Sequence, residues 1–122
     1  MLYKVKTLFY ILIITTIIGC YDNVTENHFT YQDALKSNLF NRGWLPKEII
    51  LKTTTNFKLT NNLDTNKSSG SFNVNKENLQ TFISLLNFNH ENKIFTYSNK
   101  KYIWSFYINQ TTGYTTYELQ PK

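Results

Sequence analysis

Apolar positions along the chain repeat first at helical spacing and then with a period of two, and the changes between them mark out the elements. Tyr31, Ala34, Leu35 and Leu39 fall on one helical face. Thr30 stands at the N-cap position, with Asp33 where a capping box places its acidic residue. Gly43 suits the position just past a helix, and Pro46 bars continuation. The pattern predicts a helix over 31–41. The period then changes to two. Ile49, Leu51, Thr53, Thr55, Phe57 and Leu59 point one way, and Ile50, Lys52, Thr54, Asn56 and Lys58 the other, which predicts a half-buried strand. A polar loop, Asn61 to Gly70, leads to a short strand, Ser71 to Asn75, with Phe72 and Val74 inward. Asn75 is placed to cap a second helix carrying the stripe Leu79, Phe82, Ile83 and Leu86.

The remainder reads as a meander. "KIFTY" and "KYIWSFYIN" are strands joined by a turn at Ser98–Lys100, and "YTTYEL" follows a turn over Gln110 to Gly113. The order is α-β-β-α-β-β-β. It predicts an α+β fold: an antiparallel sheet of about five strands with two helices packed on one face. There are no internal repeats, and 122 residues leave room for one domain, read as residues 30–122.

The first thirty residues follow a different pattern. Lys4 and Lys6 precede a twelve-residue apolar run, Thr7 to Ile18, which Asp22 stops early. A spanning helix needs roughly 20 apolar residues, whereas the core of an export signal needs roughly 7–15. Ile17-Ile18-Gly19-Cys20 resembles the bacterial lipobox, with an aliphatic residue at −3, a small one at −1 and cysteine at +1. The resemblance implies cleavage before Cys20, removal of residues 1–19 and lipidation of the Cys20 thiol, so that the membrane is a partner through that residue. Two or three acyl chains make a stable anchor where one does not. Tyr21 at +2 implies the outer membrane, facing the periplasm, in a host with two membranes. Residues 20–29 then read as the lipidated cysteine and a polar tether.

Charge narrows the function. The formal net charge is +5, and about +3 once Lys4 and Lys6 are removed. The basic residues are scattered and Arg42 is the only arginine, so a nucleic-acid groove is not expected.

Three segments carry a family resemblance: Arg42-Gly43-Trp44-Leu45-Pro46, Asn62-Leu63-Asp64-Thr65-Asn66 and Gly70-Ser71-Phe72. Together they resemble a small family of bacterial lipoproteins with Trp-Leu-Pro, Asp-Thr-Asn and Gly-x-Phe segments, echoed in "WSFYINQTTGYTTYE". The resemblance implies short envelope proteins, some encoded near toxin or prophage elements, and so a role in immunity or exclusion. It covers about a third of the mature chain, departs at Lys47-Glu48, and transfers no site.

Catalytic and metal chemistry finds little support in the sequence. Asp64, Asn66 and Ser68 alternate as in a calcium loop, but Ser69 and Asn75 stand where that loop requires Gly and Glu. His90-Glu91 has no second histidine at zinc-motif spacing, and His28 is distant. The eight carboxylates are scattered; Asp64 and Glu77 could approach across a loop, but a general acid/base pair needs a defined geometry that spacing does not supply. No serine sits in a nucleophile elbow. Neither an enzyme, nor a metal, nor a cofactor is expected.

The aromatic content is the positive signal: nine Phe, nine Tyr and two Trp. Strand alternation puts Tyr102, Trp104 and Phe106 on one face and Ile103 and Tyr107 on the other, so both faces of one strand carry large apolar groups. Tyr97, Tyr102, Trp104, Tyr107, Tyr114 and Tyr117 are the candidate binding surface. The expected function is a membrane-anchored envelope lipoprotein that binds another envelope protein or an incoming toxin. Cell-wall glycan binding and a structural envelope role are the alternatives.

Overall fold

The computed structural model describes residues 23–122. The expected signal segment, Cys20 and Tyr21 lie outside the described residues. Among the described residues, seven strands form one antiparallel sheet: β1 (Asn23–Thr30), β2 (Thr55–Asn62), β3 (Lys67–Asn73), β4 (Asn87–Asn89), β5 (Ile94–Ser98), β6 (Tyr102–Ile108) and β7 (Tyr114–Pro121). Their spatial order is β1-β2-β3-β7-β6-β5-β4. The two helices, α1 (Tyr31–Lys36) and α2 (Leu79–Ser84), have six residues each, and a 3-10 turn, Lys76–Asn78, precedes the second. The protein is mostly β. This corrects the expected α+β arrangement of about five strands with two packed helices.

The topology is two meanders joined through the middle of the sheet. β1 to β3 form the first. The 3-10 turn and α2 carry the chain across one face to the far edge, and β4 to β7 return until β7 pairs with β3, Gly70 opposite Tyr117.

Each departure from the sequence expectation has a local cause. Residues 23–30 are an edge strand, not a free tether. They pair with β2, Glu26 opposite Leu59 and His28 opposite Phe57. The inward positions are polar, so apolar alternation gave no strand signal. α1 keeps its expected cap, with Asp33 N–H donating to Thr30 Oγ1 at 3.1 Å, but it ends at Lys36. There the Ser37 hydroxyl donates to the Ala34 carbonyl at 2.7 Å and Asn38 turns to φ 62°. Ser and Asn compete with helix propagation in this way. Residues 49–54 are coil rather than strand, because Ile49 and Ile50 are both buried, which neighbours in a half-buried strand cannot be. The expected polar loop over 61–70 shrinks to a turn at 63–66. Asn62 Oδ1 accepts from the N–H groups of Asp64 and Thr65, and Asn66 adopts φ 54°. Gly70 then lies inside β3, where an added Cβ would collide with the Lys58 carbonyl oxygen.

One face of the sheet holds the core. α1, α2 and the long coil after α1 cover it, burying Leu39, Trp44, Leu45, Ile49, Phe57, Phe72, Phe82 and Phe106. Phe72 is the hub: its ring centroid lies 5.9 to 6.2 Å from those of Phe82, Phe106, Tyr117 and Phe57. These contacts bind the two meanders. On the opposite face the outward positions of the central strands are mainly Ser, Thr, Asn, Lys and Glu. Among the described residues no helix is long and apolar enough to cross a membrane.

Candidate functional site

Strand register divides the candidate aromatic surface between the two faces. Tyr97 lies opposite Trp104, and Phe106 opposite Tyr117, so these side chains share the inner face. Trp104 and Tyr117 are each 1% exposed. The Trp104 indole N–H donates to the Trp44 carbonyl at 2.9 Å, and Tyr97 and Tyr102 pack against its ring at 5.9 and 6.0 Å. Tyr102 also lines a cavity of about 250 Å³ with Phe40, Asn41 and Asn99. The grouping of six therefore separates. Trp104 and Tyr117 are core, Tyr97 and Tyr102 are half-buried on the core side, and only Tyr107 and Tyr114 stand on the outer face.

Those two tyrosines belong to one outer patch. Tyr107 is directly opposite Thr116, and Tyr114 is two residues before Thr116, which makes the tyrosines diagonal neighbours at roughly 7 Å. They are 45% and 49% exposed. Asn73 is opposite Tyr114 and Ser71 opposite Thr116, giving amide and hydroxyl groups beside the rings. Ile103, further along β6, is 38% exposed. The patch presents two aromatic surfaces with hydroxyl tips on an otherwise polar sheet, a combination common at protein contacts.

A second constellation lies under β1, and the sequence reading missed it. Glu26 Oε1 accepts from Arg42 Nη2 at 2.7 Å and from His28 Nε2 at 2.8 Å. Glu26 Oε2 accepts from Arg42 Nη1 and Asn61 Nδ2, both at 3.0 Å. Burial raises the Glu26 pKa, but the hydrogen bonds and charges of Arg42 and His28 outweigh it and hold the carboxyl below its ordinary value. The network continues inward: Ser68 Oγ donates to Asn61 Oδ1 at 2.6 Å and lies 2.7 Å from the Tyr117 hydroxyl. Burial pushes the Tyr117 phenol well above its usual value, Ser68 lowers it in part, and the Glu26 charge adds to the rise. The only sequence signal was the single arginine, with no partner identifiable from spacing.

His28 Nε2 also lies 3.2 Å from Ser37 Oγ, so Glu, His and Ser meet at one place. The geometry does not make a catalytic triad. A triad uses one imidazole nitrogen for the carboxylate and the other for the nucleophile. Here Nε2 meets both, and the Ser37 proton is given to Ala34. The arrangement ties β1 to the coil after α1.

The remaining candidates do not converge. Ser68 is buried in the network while Asp64 is exposed on the turn. Asp64 and Glu77 lie beyond opposite ends of β3. His90 sits in the β4–β5 turn with its ring 4.9 Å from Phe88. Among the described residues no three His, Cys, Asp or Glu side chains gather at a metal-binding distance.

Residues 22–73 match the family model of the YbbD head domain. No curated protein and no solved structure matches the chain. The matched stretch takes in β1 to β3 and most of the buried network: Glu26, His28, Arg42, Asn61 and Ser68. Tyr107 and Tyr114 lie beyond it, on the second meander.

Proposed function

We propose that the protein is a lipid-anchored bacterial envelope protein, tethered through Cys20, that binds a protein partner through the outer sheet face around Tyr107 and Tyr114. The observation that carries this reading is the pair of exposed, adjacent tyrosines on a sheet face that no other described element covers. The apolar run Thr7 to Ile18, followed by Gly19-Cys20, supports the anchor. The partner is another envelope protein or an incoming toxin, and binding the latter amounts to immunity.

The test is crosslinking in intact cells followed by affinity capture from detergent extracts. A defined partner is expected with the native protein and is lost in Tyr107→Ser/Tyr114→Ser, while the unfolding midpoint barely moves because both side chains are exposed. A partner retained by the folded double variant overturns the reading. The Asn73 amide and the hydroxyls beside the rings favour a second reading, a glycan platform. In that case the native protein sediments with purified cell-wall sacculi and the double variant does not.

A further inference from the structure

β1 is held differently from the rest of the sheet. None of residues 23–30 belongs to the apolar core or packs against it. The apolar side chains of this strand, Val24 and Phe29, are 42% and 73% exposed. Its inward side chains, Glu26 and His28, meet Arg42, Asn61 and Ser37 through hydrogen bonds and one ion pair. Among the described residues β1 pairs with β2 alone, because it is an edge of the sheet. β4, at the other edge, is seated by Phe88 packed on Phe95, with ring centroids 4.8 Å apart.

The seat of β1 is loosest next to α1. Pairing passes from His28–Phe57 to Thr30–Thr55, with Asn56 between them at φ 55°. A cavity of about 240 Å³ opens there, lined by Asn27, His28, Phe29, Asn56, Phe57 and Lys58. One residue beyond Thr30 the chain is fixed. Tyr31 is buried with its ring 5.1 Å from that of Phe40, and Thr30 caps α1. The boundary between contacts that water can replace and contacts made by the core falls at Thr30–Tyr31.

Peeling β1 from β2 exchanges its hydrogen bonds for bonds to water, while eight residues regain backbone freedom. No apolar side chain of β1 leaves the core, and the core loses cover only along β2, at Phe57 and Leu59. An opening that exposes so little lies below global unfolding in free energy. We propose that β1 is a releasable strap: it opens as a unit, hinged at Thr30–Tyr31, while the rest of the domain stays folded. Its use as a tether rests on the lipidation of Cys20 put forward above; the opening itself does not. Cys20 precedes Asn23 by three residues, a reach of at most about 10 Å, and Thr30 by ten, at most about 35 Å. Release therefore pays out chain, and the body, with Tyr107 and Tyr114 on its second meander, meets a partner further from the bilayer.

Native-state hydrogen exchange, read at single amides by fragmentation mass spectrometry, tests the opening. The full-length gene is expressed in a lipoprotein-processing host, and the product is mixed with phosphatidylcholine vesicles and floated. The comparison is between the β1 amides that bond to β2 and the paired amides of β3 and β7. The β1 amides are expected to exchange at least about tenfold faster. Their rates also respond less to urea below the unfolding transition, because the opening exposes little surface. Arg42→Met keeps the apolar stem and removes the ion pair to Glu26. It is expected to speed the β1 amides about threefold further and to leave β3 and β7 unchanged. β1 amides that exchange at the β3 and β7 rates, with the same urea response, overturn the strap. An Arg42→Met effect of equal size in all three strands overturns it too, since β1 then opens only with the whole domain. Protein that does not float with the vesicles refutes the lipidation and the tether, while its exchange rates still decide the opening.

Discussion

At the scale of single residues, burial decides what a substitution reports. Trp104 sits on the strand that suggested a binding surface, yet it is core, and Trp104→Ser leaves a cavity and an unpaired Trp44 carbonyl. A loss of about 3–5 kcal/mol is expected on urea unfolding. Glu26 receives four hydrogen bonds, and its depressed pKa fixes the sign of a pH effect. A carboxylate with a folded pKa below its unfolded value stabilises fully above the unfolded value, and the gain is lost as pH falls through the folded one. The stability gap between the native protein and Glu26→Gln is therefore expected to be constant near neutral pH and to narrow below about pH 4.5. The gap is modest, because Arg42 is 42% exposed and screened by solvent. Unfolding midpoints between pH 7 and 3 give it directly, and a gap that widens on acidification contradicts the assignment. Ser68→Ala strands Asn61 Oδ1 and the Tyr117 hydroxyl, at a cost of about 1–3 kcal/mol. Adding Tyr117→Phe removes one stranded group, so the double variant is expected to fall short of the sum of the single effects.

At the scale of elements, close packing explains Gly70. A methyl group there meets the Lys58 backbone, which cannot move without disturbing the β2–β3 ladder. Gly70→Ala is expected to cost at least about 2 kcal/mol and to lower the thermal midpoint. A midpoint unchanged from the native protein contradicts the close approach. The same scale shows what was legible in the sequence. β5, β6 and β7 alternate strongly and were placed within a residue or two. β1 was not, since Glu26 and His28 point inward and are satisfied by Arg42, Asn61 and Ser37 rather than by apolar neighbours. A period-two hydrophobic scan cannot find a strand whose buried positions are ion-paired. β4 has three residues, Asn-Phe-Asn, too few to show a period. The coil between α1 and β2 buries Leu39, Phe40, Trp44, Leu45, Ile49 and Ile50, and that apolar density read as helix and strand. Two-sided aromatic patterning on β6 was legible, but which aromatics face solvent was not. Alternation gives two faces, and only the register with β7 and β5 and the covering coil determine which is inside.

At the scale of the whole molecule, the sheet has one covered face and one that no other described element covers. A lipid at Cys20, three residues before β1, would hold that end of the sheet near the bilayer and leave the face with Tyr107 and Tyr114 directed sideways toward a partner. The family match ends at Asn73, so the first meander carries the matched stretch and the second carries the tyrosine pair. The proposed function depends on the anchor. It is tested most directly by intact mass and N-terminal peptide analysis of the protein extracted from membranes of its native host. The account predicts a chain that starts at Cys20 and carries diacylglyceryl mass on its sulfur. A chain that retains Met1, or a free Cys20 thiol, would contradict it.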